Sequence, residues 1–384
     1  MDGEKQERVL VAMSGGVDSS VAALLLRDAG YDATGVTMKL FDNEVAGAGG
    51  ACVVGESTCC SQSDVEDARQ VAFGLGLEHF TFNFTGTFGC EVIDRFCDAY
   101  LHGRTPNPCI DCNRYLKFAA LQRRRAQLGF DYVATGHYAR RAFNERTGRF
   151  ELRRGLDEAK DQSYVLYHLT QDDLAHMLFP LGELTKPQVR ELAEKHSFGN
   201  AHKAESQDIC FVSDGDYASF IARYMGFGGD AACGGGKEQT VPAAFEPGNI
   251  VDVSGKVLGR HTGLVHYTIG QRKGIGVAAP EPLYVVGKDA GKNVLVVGPR
   301  SELGVREVRA GDVNLISVAE LDKPMRVTAK THYRQRAQAA KAVMEGDQLV
   351  VRFDEAVARP AAGQSLVFYD GDAVVGGGTI ETSE

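Results

Sequence analysis

The feature that most restricts what this chain can fold into is the segment Ser14-Gly15-Gly16-Val17-Asp18-Ser19-Ser20. It sits between a strand-like apolar run over residues 8–13 and a helix-patterned run over 19–29 that Gly30 ends. A second apolar run, 33–40, follows at once, and strand, helix and strand joined this closely are the βαβ unit of a parallel sheet. Two glycines in the first joint let the backbone approach an anion, the serines offer hydroxyl donors, and the helix opening adds unpaired N–H groups and a favourable dipole. This is the make-up of a phosphate loop; the plainer alternative is a glycine turn before a capped helix. Asp18 cannot bind phosphate itself, so it is expected to hold Mg2+ or to cap the helix. No lysine follows the glycines at the Walker spacing, which favours chemistry at the α-phosphate over γ-phosphoryl transfer.

The same alternation continues. A helix opening at Ser63 with Glu66 as its capping box precedes a strand over 79–84. Helices over 90–101 and 116–128 and a strand over 132–135 come next, and Thr185 with Gln188 makes another capping box, with Pro187 in the first turn of a helix to about His196. These elements predict an α/β N-terminal domain with a parallel sheet over residues 1–213. The stretch 226–236 is glycine-rich and reads as a junction. From Asn249 onward short runs rich in Val, Leu and Tyr alternate with turn dipeptides such as Ser254-Gly255 and Asp370-Gly371. That texture predicts a small β-rich central domain over 214–302 and a C-terminal β-barrel-like domain over 303–384.

A length of 384 residues fits two or three cores, and 43% hydrophobic with 24% charged residues is ordinary for a water-soluble protein. No apolar run approaches a membrane span, and residues 1–8 carry no signal-like segment, so a cytoplasmic location is expected. The net charge of -9 looks wrong for a nucleic-acid binder. Between Arg114 and Arg154, however, eleven Arg or Lys face three acids (Asp131, Glu145, Glu151). Either this is a set of solvated helix and hairpin faces or it is a footprint for phosphates.

Nine cysteines are many for a reducing compartment, and an odd number argues against a plain disulfide framework. Cys109 and Cys112 lie in Thr105-Pro106-Asn107-Pro108-Cys109-Ile110-Asp111-Cys112-Asn113, before an apparent helix, and Cys210 lies in Ser206-Gln207-Asp208-Ile209-Cys210-Phe211. The C-x-x-C pair can be a resolving dithiol, two ligands of a metal, or a structural pair. Cys90 and Cys97, seven apart on an apolar helix, read as small core residues on one face. Cys52, Cys59 and Cys60 fall in a glycine-rich loop without a histidine, and Cys233 has no partner signal.

The loop matches the S-G-G-x-D-S motif of the PP-loop ATP pyrophosphatases, which activate an oxygen by adenylation. With the two cysteine segments it resembles the tRNA-specific 2-thiouridylases. Further matches follow in order: Gly136-His137-Tyr138-Ala139-Arg140, Lys160-Asp161-Gln162-Ser163-Tyr164, His266-Tyr267-Thr268-Ile269-Gly270-Gln271-Arg272-Lys273-Gly274, Tyr333-Arg334-Gln335 and Gly363-Gln364-Ser365. The resemblance implies an adenine nucleotide α-hydrolase-like fold and ATP-dependent placement of sulfur on the C2 position of the wobble uridine of tRNA. It assigns the persulfide to Cys210 and the releasing attack to Cys112, leaving a Cys112–Cys210 disulfide. ATP with Mg2+ would lie at Ala12, Met13, Ser14, Gly15, Gly16, Val17, Asp18 and Ser19, with Met38 and Gly136 at the adenine nucleotide. The target base would meet Asn107, Pro108 and Cys109; tRNA would meet Lys160, Asp161, Gln162, Arg334 and Gln335, with His137 and Gln364 beside it.

One departure stands out, because many members of that family have an aspartate where this chain has Cys109. With Cys112 and Cys210 the thiol count reaches three, which would suit an iron–sulfur cluster with one open iron. The implied partners are the anticodon arm of tRNA, with Lys, Glu and Gln acceptors as the family expectation, and a sulfur donor that is a relay carrier protein or a cysteine desulfurase. Two other classes compete: an RNA-binding protein with a structural metal, against which the phosphate loop speaks, and a PP-loop ligase or amidotransferase, which gives Cys112 and Cys210 no role.

Overall fold

A computed structural model describes residues 6–40, 62–203, 209–212, 215–227 and 241–384. The chain begins with strand β1 (Arg8–Ala12), helix α1 (Val17–Asp28), strand β2 (Asp32–Lys39), helix α2 (Gln62–Gly74) and strand β3 (His79–Asn83). Two helical arms follow. The first joins α3 (Thr85–Phe88), a π-helical stretch Gly89–Ile93 and α4 (Asp94–Leu101); the second joins α5 (Pro108–Asp111), a π-helical stretch Cys112–Ala120 and α6 (Leu121–Leu128). Strand β4 (Tyr132–Thr135), the hairpin β5 (Ala139–Asn144) and β6 (Arg149–Arg154), α7 (Gln171–Ala175), β7 (Met177–Leu178), α8 (Lys186–Lys195) and α9 (Tyr217–Met225) complete this half.

The five strands of the first sheet run parallel in the order β3-β2-β1-β4-β7. Val9, Leu10 and Val11 of β1 are fully buried, as expected for a strand with both faces covered. Since β2 and β3 lie on one side of β1 and β4 on the other, the winding reverses between β1 and β4. The crevice beyond their carboxyl ends is where open α/β sheets receive ligands.

Three local readings differ from expectation. Helix α2 starts at Gln62, so Ser63 lies inside its first turn rather than capping it. The second arm starts at Pro108, not Leu116: Asn107 caps it by accepting from the Cys109 N–H at 3.2 Å, and Pro108 has its φ preset for a first turn. Cys109 and Cys112 are therefore on a helix. On the first arm Cys97 is buried but Cys90 is exposed, because the π turn between them widens the spacing and rotates the two cysteines off a shared face. Helix α9 was not anticipated. Cys52, Cys59, Cys60 and Cys233 lie outside the described residues.

The second sheet has β8 (Gly248–Asp252), β9 (Val257–His261), β10 (Tyr284–Asp289) and β11 (Val294–Gly298) in the order β10-β11-β8-β9, around Ile250, Val285, Leu295 and Val297. The third unit comprises β12 (Gly304–Leu315), β13 (Met325–Lys330), β14 (Gln338–Glu345), β15 (Gln348–Ala358), β16 (Ser365–Asp370) and β17 (Ala373–Ser383). They run β12-β15-β14-β13-β16-β17, and β12 pairs with β17 to close a barrel.

The barrel is bound to the first domain. One apolar cluster runs from Leu10, Val133 and Leu152 to Val367, Tyr369 and Val374, and Arg153 of β6 is paired with Ala373 of β17. Arginines of the basic stretch reinforce the junction. Arg140 donates to Asp372 at 2.8 Å and Arg149 to the Ile316 carbonyl at 2.9 Å, while within the first domain Arg141 donates to the carbonyls of Leu174 and Ala175 at 3.0 Å. Much of that local basic excess thus has acceptors within the protein, neither solvated as a mere helix face would be nor wholly open to phosphates.

Candidate active site

The phosphate loop lies at the winding reversal. Gly15 has φ of +74°, and a Cβ there would fall 2.3 Å from the Asp64 carbonyl oxygen, so only glycine fits. Gly16 occupies the N-cap of α1 with no side chain over the first N–H groups. The Ser14 N–H donates to Ser19 Oγ at 3.2 Å, and the Ser19 and Ser20 hydroxyls donate to the Gly16 carbonyl at 3.0 and 3.1 Å. A tight ring of serines thereby shapes a helix opening suited to an anion.

Asp18 does not cap α1. It lies within the first turn, where Lys186 Nζ reaches its two oxygens at 2.7 and 2.8 Å and the Tyr138 hydroxyl donates to Oδ1 at 2.8 Å. Both carboxylate oxygens of Asp18 thus face Lys186. From the opposite strand, Gly136 packs so closely on this helix that a Cβ would lie 2.8 Å from the Ser19 nitrogen. His137 beside it is buried, its Nδ1 is 2.8 Å from Thr135 Oγ1, and burial together with Lys117 holds its pKa well below the usual histidine value.

Cys112 and Cys210 are gathered around one apolar cluster at the end of β2. Met38, nearly buried at the end of that strand, belongs to an apolar cluster with Phe88, Phe96, Leu116 and Phe211, and both Cys112 and Cys210 pack against this cluster. Two cysteines nearly a hundred residues apart in sequence thus share one wall with the strand that leaves the nucleotide side. Cys109, one turn from Cys112, is exposed. Asp111, immediately before Cys112, has its pKa pushed up to about 6, chiefly by burial and partly offset by Arg95 and Arg114. Among the described residues no three His, Cys, Asp or Glu side chains are grouped so that they could hold a metal ion.

Comparison with known proteins decides the family. The profile described as tRNA methyl transferase HUP domain matches residues 7–214, the one described as tRNA methyl transferase PRC-barrel domain matches 238–299, and an aminomethyltransferase beta-barrel domain matches 305–380. Curated relatives match from end to end. The tRNA-specific 2-thiouridylase MnmA of Carboxydothermus hydrogenoformans is 47% identical over 99% of both chains. MnmA 1 of Thermoanaerobacter sp. (strain X514) is 46% identical over 98% of this chain and 99% of its own, and MnmA of Clostridioides difficile (strain 630) is 44% identical over the same shares. The chain belongs to the tRNA-specific 2-thiouridylase family. The profiles carry a methyl-transfer description and the relatives a thiolation name; a phosphate loop with two cysteines on one wall is chemistry for thiolation.

Other residues expected at a 2-thiouridylase site are placed as follows. Gln162 Oε1 accepts from the Tyr138 N–H at 3.0 Å, and Asp161 accepts from the N–H groups of Gly155 and Ser163 at 3.2 and 3.0 Å, so both shape the loop beside Tyr138. Lys160 next to them is half-buried. Gln335 accepts from Thr331 at 2.8 Å and holds the turn on which Arg334 is exposed. Gln364 donates to the Thr105 carbonyl at 2.7 Å. Sequence reasoning missed Lys186 and Asn200. Asn200 is buried and donates to the Gly15 carbonyl and Ser20 Oγ, both at 2.9 Å. The capping box of α8, with the Thr185 N–H on Gln188 at 2.8 Å, signals that the helix carrying Lys186 starts there, but nothing local signals that its first residue reaches Asp18.

Proposed function

We propose that this protein thiolates the C2 position of the wobble uridine of tRNA at the expense of ATP. The observation that carries the reading is the apolar cluster at the end of β2: Met38, on the strand paired with the one that leads into the phosphate loop, joins the cluster against which Cys112 and Cys210 pack. ATP binds with its triphosphate over the Gly15-Gly16 opening of α1, and Met38 and Gly136 border the adenine nucleotide. Mg2+ bound to the triphosphate would supply charge neutralisation.

The chemistry balances with two thiols and one nucleotide. The uracil O2 attacks the α-phosphate of ATP, pyrophosphate leaves, and the oxygen becomes part of a good leaving group. The terminal sulfur of a Cys210 persulfide bonds to C2 and AMP departs with that oxygen. The Cys112 thiolate then attacks Cys210 Sγ, the sulfur–sulfur bond breaks, its electron pair completes the thiocarbonyl, and a Cys112–Cys210 disulfide remains for an external thiol to reduce. A relay carrier protein or a cysteine desulfurase charges Cys210. Asn107, Pro108 and Cys109 border the target base, which enters flipped from its stack. Lys160, Asp161, Gln162, Arg334 and Gln335 contact the RNA with His137 and Gln364 close by, and Lys, Glu and Gln acceptors are the expected substrates.

The test is mass spectrometry of nucleosides from tRNA incubated with the protein, ATP, Mg2+ and a persulfide donor, beside Cys112→Ser and Cys210→Ser. Thiolation by either variant is expected to fall at least about a thousandfold while ATP binding persists. Thiolation that survives either substitution, or pyrophosphate release without sulfur incorporation by the wild type, would overturn the reading.

A further inference from the structure

The segment 107–113 receives support from the barrel at both ends. Upstream, the Thr105 N–H donates to the Ala362 carbonyl at 2.8 Å and Gln364 Nε2 donates to the Thr105 carbonyl at 2.7 Å. Gly363, at φ of +91°, lies so near that a Cβ would sit 3.2 Å from Arg104 Cβ. Downstream, the Arg114 guanidinium meets both carboxylate oxygens of Asp312, with Nη2 to Oδ1 at 3.1 Å and a shorter contact from Nη1 to Oδ2. Two parallel contacts fix orientation as well as distance.

Asp312 is set up for that contact. It has φ of +48°, one of the described non-glycine residues in the left-handed region, where the β12–β17 register shifts between Gly311 and Asn314. A non-glycine residue persists there only where its surroundings hold it. Asn314, two residues on, donates to the Tyr167 and Leu169 carbonyls at 2.7 and 2.9 Å, so this bulge faces the first domain. On the helix side, Arg114 and Arg95 both lie over the Tyr115 ring, at 5.2 and 4.4 Å. A cavity of about 290 Å3 lined by Tyr115, Phe118, His168 and Asn314 lies beside the pair. Ile110 and Phe118 of the arm share an apolar cluster with Ile316 and Val367, and at the cavity the side-chain bridge supplies the polar contact between helix and barrel.

We propose that the barrel is the template that orients the Cys112 helix, and that Asp312 is a positioning residue for thiolation acting through Arg114. This rests on Cys112 being the attacking thiol. The helix it orients passes at Cys112 into a π-helical stretch, whose hydrogen-bond geometry leaves its direction less determined by its own backbone than an α-helix would. The side chains of Arg114 and Asp312 are 31% and 53% exposed, so the pair adds little to global stability and its effect falls on geometry.

Asp312→Gly separates the two. Glycine adopts the positive φ without strain, so the fold is retained while the bridge is lost. With intact tRNA, ATP and a persulfide donor, kcat for thiolation is expected to fall about tenfold or more, with the tRNA KM within about twofold of wild type. Arg114→Ala combined with Asp312→Gly is expected to be no slower than the slower single variant, because both remove one link. Asp312→Asn, which tolerates the same backbone and keeps one acceptor, is expected to fall between. A wild-type kcat for Asp312→Gly, an effect confined to KM, or additive losses in the double variant would overturn the inference. Run alongside, Cys112→Ser distinguishes the failures: if it still thiolates, the role of Cys112 is wrong; if it is inactive while Asp312→Gly is normal, only the bridge is wrong.

Discussion

The phosphate end and the sulfur end of the site are built in opposite ways. The loop over 14–20 takes its shape from short-range bonds, with serine hydroxyls bonded to a carbonyl three or four residues away, and Asn200, Lys186 and Tyr138 clamp that shape from later in the chain. The sulfur end is gathered from segments far apart: the 107–114 helix, the short stretch around Cys210, and barrel residues 312 and 362–364. A self-determined element tolerates change in its neighbours but not in its own residues, whereas a gathered one can be disturbed from many distant positions.

The contrast can be broken first at Gly15. Gly15→Ala meets both a positive φ and a carbonyl oxygen 2.3 Å from the new Cβ. A loss of about 3 kcal/mol or more in stability is expected, with weakened ATP binding, read by chemical denaturation and by nucleotide titration. An unchanged midpoint would mean that the loop is not the rigid half. Lys186→Met comes next. It removes the cation from Asp18, whose side chain is one-third exposed, so the expected loss is about 1–3 kcal/mol after screening. If Asp18→Asn made in the same protein restored stability, the charge balance rather than lysine packing would be the cause.

The smallest effect sharpens the sulfur side. Asp111 has its pKa raised from 3.8 to about 6 by burial, so the folded state favours its protonated form. The stability this confers is complete below pH 3.8 and is lost as pH rises through about 6. Asp111→Asn should therefore stabilise the protein by about 1–2 kcal/mol at pH 7.5 and leave it unchanged or weaker at pH 4, measured by melting across that range. A benefit independent of pH would show that the carboxylate is not the strained group. His168 acts with the opposite sign: burial lowers its pKa to about 3, so its contribution is present above 6.5 and is lost on acidification through about 3.

What the sequence discloses follows the same division. The phosphate loop, the parallel strands around it and the α8 capping box are all written in residues a few positions apart, and each appears where its pattern puts it. The start of the Cys112 helix was missed because Asn107 and Pro108 announce it in a stretch without apolar periodicity. The separation of Cys90 from Cys97 depends on a π turn that spacing arithmetic at 3.6 residues cannot register. Lys186, Asn200 and Asp312 act across more than a hundred residues, and no local pattern distinguishes them from a helix start, a loop amide and a turn acid. The basic stretch was legible as charge but not as attachment, because its acceptors are backbone carbonyls and acids supplied by later elements.

The closure of the barrel by β17 also orders events in time. That strand follows every other barrel strand in the chain, and it pairs with β12, the strand that presents Asp312. As a protein emerges from the ribosome its early domain can fold as a unit. Here the nucleotide crevice can form while the brace for Cys112 is still unmade. If Cys112 is the attacking thiol and the barrel its brace, a nascent chain would acquire its nucleotide crevice before it could direct that thiol, and the sulfur half of the site would be the last to mature.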